Sequence, residues 1–211
     1  MLKSYKDVSI IAHRGYWENV SEKNSKFAFE RAFEFGFGVE TDLRDNNGKI
    51  VISHNMPCGN EMSFESLLQM MDGRNLPLAL NIKADGMSKE IKDLLNKYNH
   101  TNYFTFDMSI PEMVVQRDNK LTFFTGLSDL VKEPILFEDS CGIWLDSFYE
   151  DWFDKSVILG ILAKHKSICI VSPDLHQRRY KEIWKKYKNI PGIMICTDFP
   201  QEAEIFFNGK N

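Results

Sequence analysis

Eight short apolar, β-branched runs place the strongest constraint on how this chain folds. They are VSIIA (8–12), GVETDL (38–43), LALNI (78–82), NYFTF (102–106), LTFFT (121–125), GIWLD (142–146), SICIV (167–171) and GIMICT (192–197). Between most of them lie segments of helical period. SKFAFERAFEFG has apolar residues at i, i+3, i+4 and i+7 and a closing glycine, and SKEIKDLLNKY, SVILGILAKH, LHQRRYKEIWKKY and PQEAEIFFN follow. After the fifth run, LSDLVKEP leaves room for a turn or two only. Strands alternating with helices build parallel βαβ units, and eight such units close a barrel. The expected fold is therefore α/β, a compact (β/α)8 barrel. A doubly wound open sheet is the alternative that the pattern leaves open. KIVISH (49–54), behind the turn DNNG, is expected as a short hairpin after the second strand.

A chain of 211 residues is long enough to bury roughly 70% of its surface in one core, so a single domain over 1–211 is expected. The formal charge of −4 gives no broad cationic field, and no nucleic-acid partner is expected. The basic stretch HQRRYKEIWKKYK reads as the solvated face of an amphipathic helix. Cysteines 58, 141, 169 and 196 are spread without CxxC pairing, two of them inside apolar runs, which points to a reducing compartment. The apolar stretch near the N-terminus is too short for a secretory leader, and no run of about 18 apolar residues occurs. A cytoplasmic protein without stable membrane association is the expectation; no feature of the sequence bears on oligomeric state.

In parallel barrels the chemistry gathers at the C-terminal ends of the strands. His13 and Arg14 end the first strand, Glu40 and Asp42 the second, His54 the hairpin, and Asn81 and Lys83 the third. Glu40 and Asp42 are spaced i, i+2, so on a strand both carboxylates face one side. Two such charges need a cation between them, and oxygen ligands suit Mg²⁺ or Ca²⁺ better than Zn²⁺. Two imidazoles beside them are suited to act as base and acid. Arg14 and Lys83 bring positive charge for an oxyanion, and Gly15 lets the chain turn sharply beneath it. Trp17, Met56 and Phe106 are expected to shape the pocket, while Trp144 is read equally as a stacking surface or as core. In VSPDLHQR (171–178), His176 and Arg178 are candidates for a distal substrate group, with a helix cap by Ser172 or Asp174 the preferred explanation.

The stretches AHRG, ENVSEKNSKFAFERAFEFGF and VETDLRDNNGKIVISHN resemble the opening of the glycerophosphodiester phosphodiesterase family, with its His-Arg-Gly, Glu-Asn, Glu-x-Asp and hairpin histidine motifs. LNIK and GIMICTDFP are similar to the family's third-strand and C-terminal segments. The resemblance implies a TIM barrel that hydrolyses a small-molecule phosphodiester with one divalent cation, Mg²⁺ before Ca²⁺. It implies His13 and His54 as general acid and base, Glu40, Asp42 and Asn81 as metal ligands, and Arg14 and Lys83 as phosphate-binding residues.

Two positions depart from the family pattern. Asn81 stands where the family has a third acidic ligand, and Asn55, a candidate pocket residue, stands where an aspartate often follows the second histidine. With a divalent ion, two carboxylates, two cations and one phosphodiester, the site carries one net positive charge, where a third carboxylate leaves it neutral. The expectation is ready anion binding and loose metal binding. A second reading is a silent barrel that binds a phosphorylated sugar or polymer without cleaving it.

Overall fold

The computed structural model describes residues 7–209; the N-terminal stretch judged too short for a secretory leader falls partly on residues 1–6, outside the described residues. The strands are β1 (Ser9–His13), β2 (Gly38–Asn46), β3 (Lys49–Ile52), β4 (Leu78–Ile82), β5 (Tyr103–Phe106), β6 (Phe124–Leu127), β7 (Gly142–Leu145), β8 (Ser167–Val171) and β9 (Met194–Thr197). They line up as β5-β4-β2-β1-β9-β8-β7-β6, all parallel, with β3 antiparallel on β2 as the expected hairpin. The end strands meet at one bridge, Thr105 to Phe123, where the Thr105 amide donates to the Thr122 carbonyl at 3.0 Å. Eight parallel strands thus form a nearly closed barrel, and the open-sheet alternative does not hold.

Seven helices surround it: α1 (Lys26–Glu34), α2 (Phe64–Met71), α3 (Ser88–Lys97), α4 (Ile110–Asp118), α5 (Lys155–Ala163), α6 (Lys181–Tyr187) and α7 (Pro200–Asn208). As the segment LSDLVKEP implied, no helix lies between β6 and β7. Apolar period alone did not single out α2 and α4, but both start on a capping serine: Ser63 accepts from the Ser66 amide and Ser109 from the Glu112 amide. One expected helix is cut in half. LHQRRYKEIWKKY forms a 3-10 turn at Pro173–His176 and helix only from Lys181, because Gln177 adopts a left-handed conformation and Arg178 is anchored to the Ser147 carbonyl and to Asp151.

Strand alternation divides two cores. Outward residues such as Ile10, Ala12, Val39, Leu43, Leu78, Leu80 and Ile82 pack under the helices. Inward residues Ile11, Ala79, Phe104, Phe106, Phe124, Trp144, Cys169, Val171, Met194 and Cys196 fill the barrel. Four aromatic rings stack across the β5, β6 and β7 side, Phe104 on Phe124 at 3.9 Å and Phe106 on Trp144 at 3.8 Å between centroids. Small inward residues on the other strands, Ala79, Cys169 and Cys196, make room for them. Phe106 and Trp144, candidates for the pocket, are therefore buried barrel core. Among the described residues no helix is long and apolar enough to cross a membrane.

Candidate active site

The inward parity that buries Ile11 and Ala79 also carries His13, Glu40, Asp42 and Asn81 toward the barrel axis, with Glu40 level with Ala79, and Asp42 and Asn81 two residues nearer the C-terminal rim. Strand register sets them side by side: His13 opposite Glu40, and Asp42 opposite Asn81. Glu40, Asp42 and Asn81 are 2, 1 and 7% exposed, which is uncommon for such residue types and expensive unless partners are present. At the end of β1 the chain reverses through Arg14 and Gly15, both at positive φ. A Cβ at Gly15 would lie 2.8 Å from the Ala28 carbonyl carbon and Cβ, so only glycine fits beneath the turn.

His13 is held by a residue outside the sequence-derived set. Its Nδ1 lies 2.6 Å from Asp198 Oδ1, and its Nε2 lies 3.8 Å from Glu40 Oε2. Burial lowers the imidazole pKa, overcoming the opposing pull of Asp198, with Arg14 and Lys23 adding to the lowering. Asp198 stays below its usual range: burial alone would raise it, but the His13 hydrogen bond and the charges of His13 and Lys23 outweigh that. Lys23 Nζ reaches Asp198 at 3.2 Å and stands 4.5 Å over the Trp17 ring.

Both proposed phosphate-binding cations are engaged with one carboxylate. Arg14 Nε lies 3.1 Å from Asp42 Oδ2 and Lys83 Nζ 3.3 Å from Asp42 Oδ1, while Asn24 Nδ2 donates to Oδ2 at 2.9 Å. Among the described residues no Lys or Arg side chain makes such an ion pair with Glu40, whose one imidazole neighbour is His13. Burial, then repulsion from Asp42, pushes its carboxyl well above the ordinary value despite Arg14 and Lys83. Asn81 donates from Nδ2 to Asp107 Oδ2 at 3.1 Å, and its Oδ1 is buried with no hydrogen-bond partner among the described residues. Asp107 belongs to an exposed position, yet its carboxyl is crowded by protein and is pushed up to about 6, burial outweighing the attraction of Lys83.

Three oxygen donors on neighbouring strands, one of them an orphaned amide oxygen, fit a hard divalent cation. Among the described residues no group of three or more His, Cys, Asp or Glu side chains is placed to hold a metal, so the set depends on Asn81.

Among the described residues His54 makes no bond to the side chains of this cluster. It is exposed beyond β3, its Nδ1 bonded only to the adjacent Asn55 Oδ1 at 3.0 Å, and its carbonyl is held by Arg44, whose Nη1 also reaches the Lys83 carbonyl. Asn55 and Met56 are exposed beside it. Trp17, half-buried, donates from Nε1 to the His13 carbonyl at 3.2 Å and lines a groove of about 330 Å³ with Asp198, Phe199 and Ile205.

On the far side of the rim His176 Nε2 meets Asp146 Oδ1 at 2.7 Å. Ser172 occupies the cap position of the 3-10 turn without a side-chain capping bond. Asp174 instead accepts from Thr197 Oγ1 and, at 2.7 Å, from the Asp198 amide. Asp107, Asp146 and Asp198 were missed by sequence reasoning although each directly follows a strand, the position where a barrel collects functional side chains.

No protein-family model and no curated protein matches the sequence. Solved structures do match its fold, two of them phosphodiesterases. A glycerophosphodiester phosphodiesterase from Agrobacterium tumefaciens has a TM-score of 0.67 at 13% identity, covering 93% of this chain and 98% of that one. A phosphodiesterase from Oleispira antarctica, in complex with the product sn-glycerol-3-phosphate, has a TM-score of 0.66 at 13% identity, covering 94% and 96%. The chain shares, over nearly its whole length, the TIM-barrel fold of these phosphodiesterases.

Proposed function

We propose that the protein is a phosphoric diester hydrolase acting on a glycerophosphodiester or a related polar phosphodiester. The observation that carries this reading is the buried row His13, Glu40, Asp42 and Asn81 on three adjacent strands, with Arg14 and Lys83 beside it, at the catalytic end of the barrel. The product named for the Oleispira structure, a glycerol phosphate, supports the substrate class.

Glu40, Asp42 and Asn81 Oδ1 are the groups that would hold one divalent cation, Mg²⁺ before Ca²⁺. Such an ion, when bound, supplies a Lewis acid for a phosphoryl oxygen. The rest of the chemistry belongs to the chain. Asp198 fixes the His13 tautomer by accepting from Nδ1–H, which leaves Nε2 free to take a proton from the attacking hydroxyl or water. Burial lowers the pKa of that imidazole and so favours the neutral form a base needs. Arg14 and Lys83 give the mouth the positive charge that favours a phosphodiester and its more highly charged transition state. Hydrolysis also requires a proton for the departing alkoxide, and the hairpin histidine His54 is the motif's candidate for that role.

A panel of glycerophosphodiesters followed by phosphorus NMR with and without Mg²⁺ tests the reading. Activity is expected with Mg²⁺, abolished by chelator, and reduced at least about 100-fold in His13→Ala. An inert wild type that binds phosphorylated ligands would establish the silent-barrel alternative, which Asn81 and Asn55 motivate.

A further inference from the structure

Asn81 stands between two carboxylates. In the strand order β5-β4-β2 it lies on β4, opposite Asp42 of β2 on one side and Phe106 of β5 on the other. Phe106 faces into the barrel, so continued alternation would turn the next residue, Asp107, outward. The backbone breaks that alternation: Asp107 is left-handed, with φ 60°, a conformation that L residues other than asparagine and aspartate seldom adopt. Its Oδ2 thereby comes within 3.1 Å of Asn81 Nδ2. Backbone of this kind persists where the surroundings hold it in place, and such positions gather at functional sites.

A carboxylate only accepts hydrogen bonds, so Asp107 fixes which end of the Asn81 amide turns toward it. With Nδ2 committed to Asp107, the amide oxygen is left facing away from it, buried and without a hydrogen-bond partner among the described residues. Turned over, the amide would set its oxygen against a carboxylate and offer its two N–H donors to the acidic residues of β2, where they compete with a cation. Resting on the hydrolase reading above and its cation site, we infer that Asp107 is a positioning residue that presents Asn81 Oδ1 to the divalent cation. The two oxygens of a carboxylate ligand are interchangeable, whereas an asparagine ligates in one orientation only, and Asp107 selects that orientation. It acts from outside the ligand set, since among the described residues no three His, Cys, Asp or Glu side chains are placed to hold a metal. Lys83, bonded to Asp42 at 3.3 Å, also attracts Asp107, so a plain counter-charge is the competing role.

The experiment titrates Mg²⁺ alone into the full-length protein by calorimetry at pH 8. Asp107→Gly keeps the left-handed backbone and removes the acceptor; it is expected to weaken Mg²⁺ binding about tenfold or more. Asp107→Asn also tolerates that backbone and still carries an acceptor, but it can face Asn81 with either end, so a loss of about 3-fold is expected. In the Asn81→Asp background the ligand needs no orienting, and both changes at 107 are expected to cost less than about 2-fold or to tighten binding by relieving repulsion. Melting temperatures without Mg²⁺ control for folding, and Asp107→Asn in the two backgrounds decides the matter if the glycine variant does not fold. Unchanged affinity in Asp107→Gly, or a loss of the same size in both backgrounds, overturns the assignment and leaves the hydrolase reading to the phosphorus NMR panel. A wild type that turns over phosphodiesters without binding Mg²⁺ overturns the assignment alone; one that neither binds Mg²⁺ nor turns them over overturns both.

Discussion

His100 and His176 titrate in opposite directions, and the difference is readable as stability. Burial lowers the His100 pKa although its Nε2 donates to the Asn102 carbonyl, so the folded state binds the proton less well than the unfolded chain. That costs stability as pH falls below the unfolded value and through the folded one. His176 is raised, so its contribution is fully present below the unfolded value and is lost as pH climbs through the folded one. Urea midpoints between about pH 5 and 8 are expected to show a shallower acid-side decline in His100→Gln, the buried His13 keeping the rest, and a shallower alkaline-side decline in His176→Gln. Asn81 sets the other residue-scale prediction. If Glu40, Asp42 and Asn81 hold the cation as proposed, Asn81→Asp would add a third charged ligand and should tighten Mg²⁺ binding about tenfold, measured by calorimetry or by the Mg²⁺-dependent rise in melting temperature. Unchanged affinity would mean that Asn81 Oδ1 is no ligand.

Single strands and helices explain where small residues are obligatory and where they are not. At Gly142, the first residue of β7, a Cβ would stand 2.6 Å from Phe124 Cε1 and Cζ and from the Ser167 carbonyl oxygen. Neither a backbone oxygen nor a ring stacked on Phe104 gives way readily, so Gly142→Ala should cost about 1–3 kcal/mol in urea unfolding. Gly160 lies inside α5, where a Cβ would meet nothing within 4 Å. Gly160→Ala should stabilise by up to about 1 kcal/mol, because it removes unfolded-chain freedom and improves helix propensity. The 3-10 turn after β8 behaves as a connector, with Asp174 joining it to Thr197 and Asp198. Capping carried information that apolar periodicity did not: Ser109-Ile-Pro-Glu112 and Ser63-Phe-Glu65-Ser66 mark helix starts in segments whose hydrophobic stripe is short.

As a whole the molecule is a barrel with one weak seam. Every neighbouring strand pair from β5 round to β6 shares a ladder, whereas β5 and β6 meet only near Thr105. Hydrogen exchange should therefore show lower protection for β6 amides than for β1, which is paired on both sides by β2 and β9. Equal protection would mean that the inner aromatic stack closes the barrel as firmly as a ladder does. The amino-acid sequence by itself determined the fold class, the hairpin, the missing helix after β6 and the strand-end placement of His13, Glu40, Asp42, Asn81 and Lys83, because period and strand parity are local properties of the chain. Tertiary structure alone decided the partners: Asp198 for His13, from 185 residues away, Asp146 for His176, Asp107 for Asn81, and the pairing of Arg14 and Lys83 with one carboxylate. It also turned Phe106 and Trp144 into core and left His54 exposed, bonded to the neighbouring Asn55. Parity tells which side of a strand a residue faces, but which strands stand next to one another is set by closure of the whole barrel.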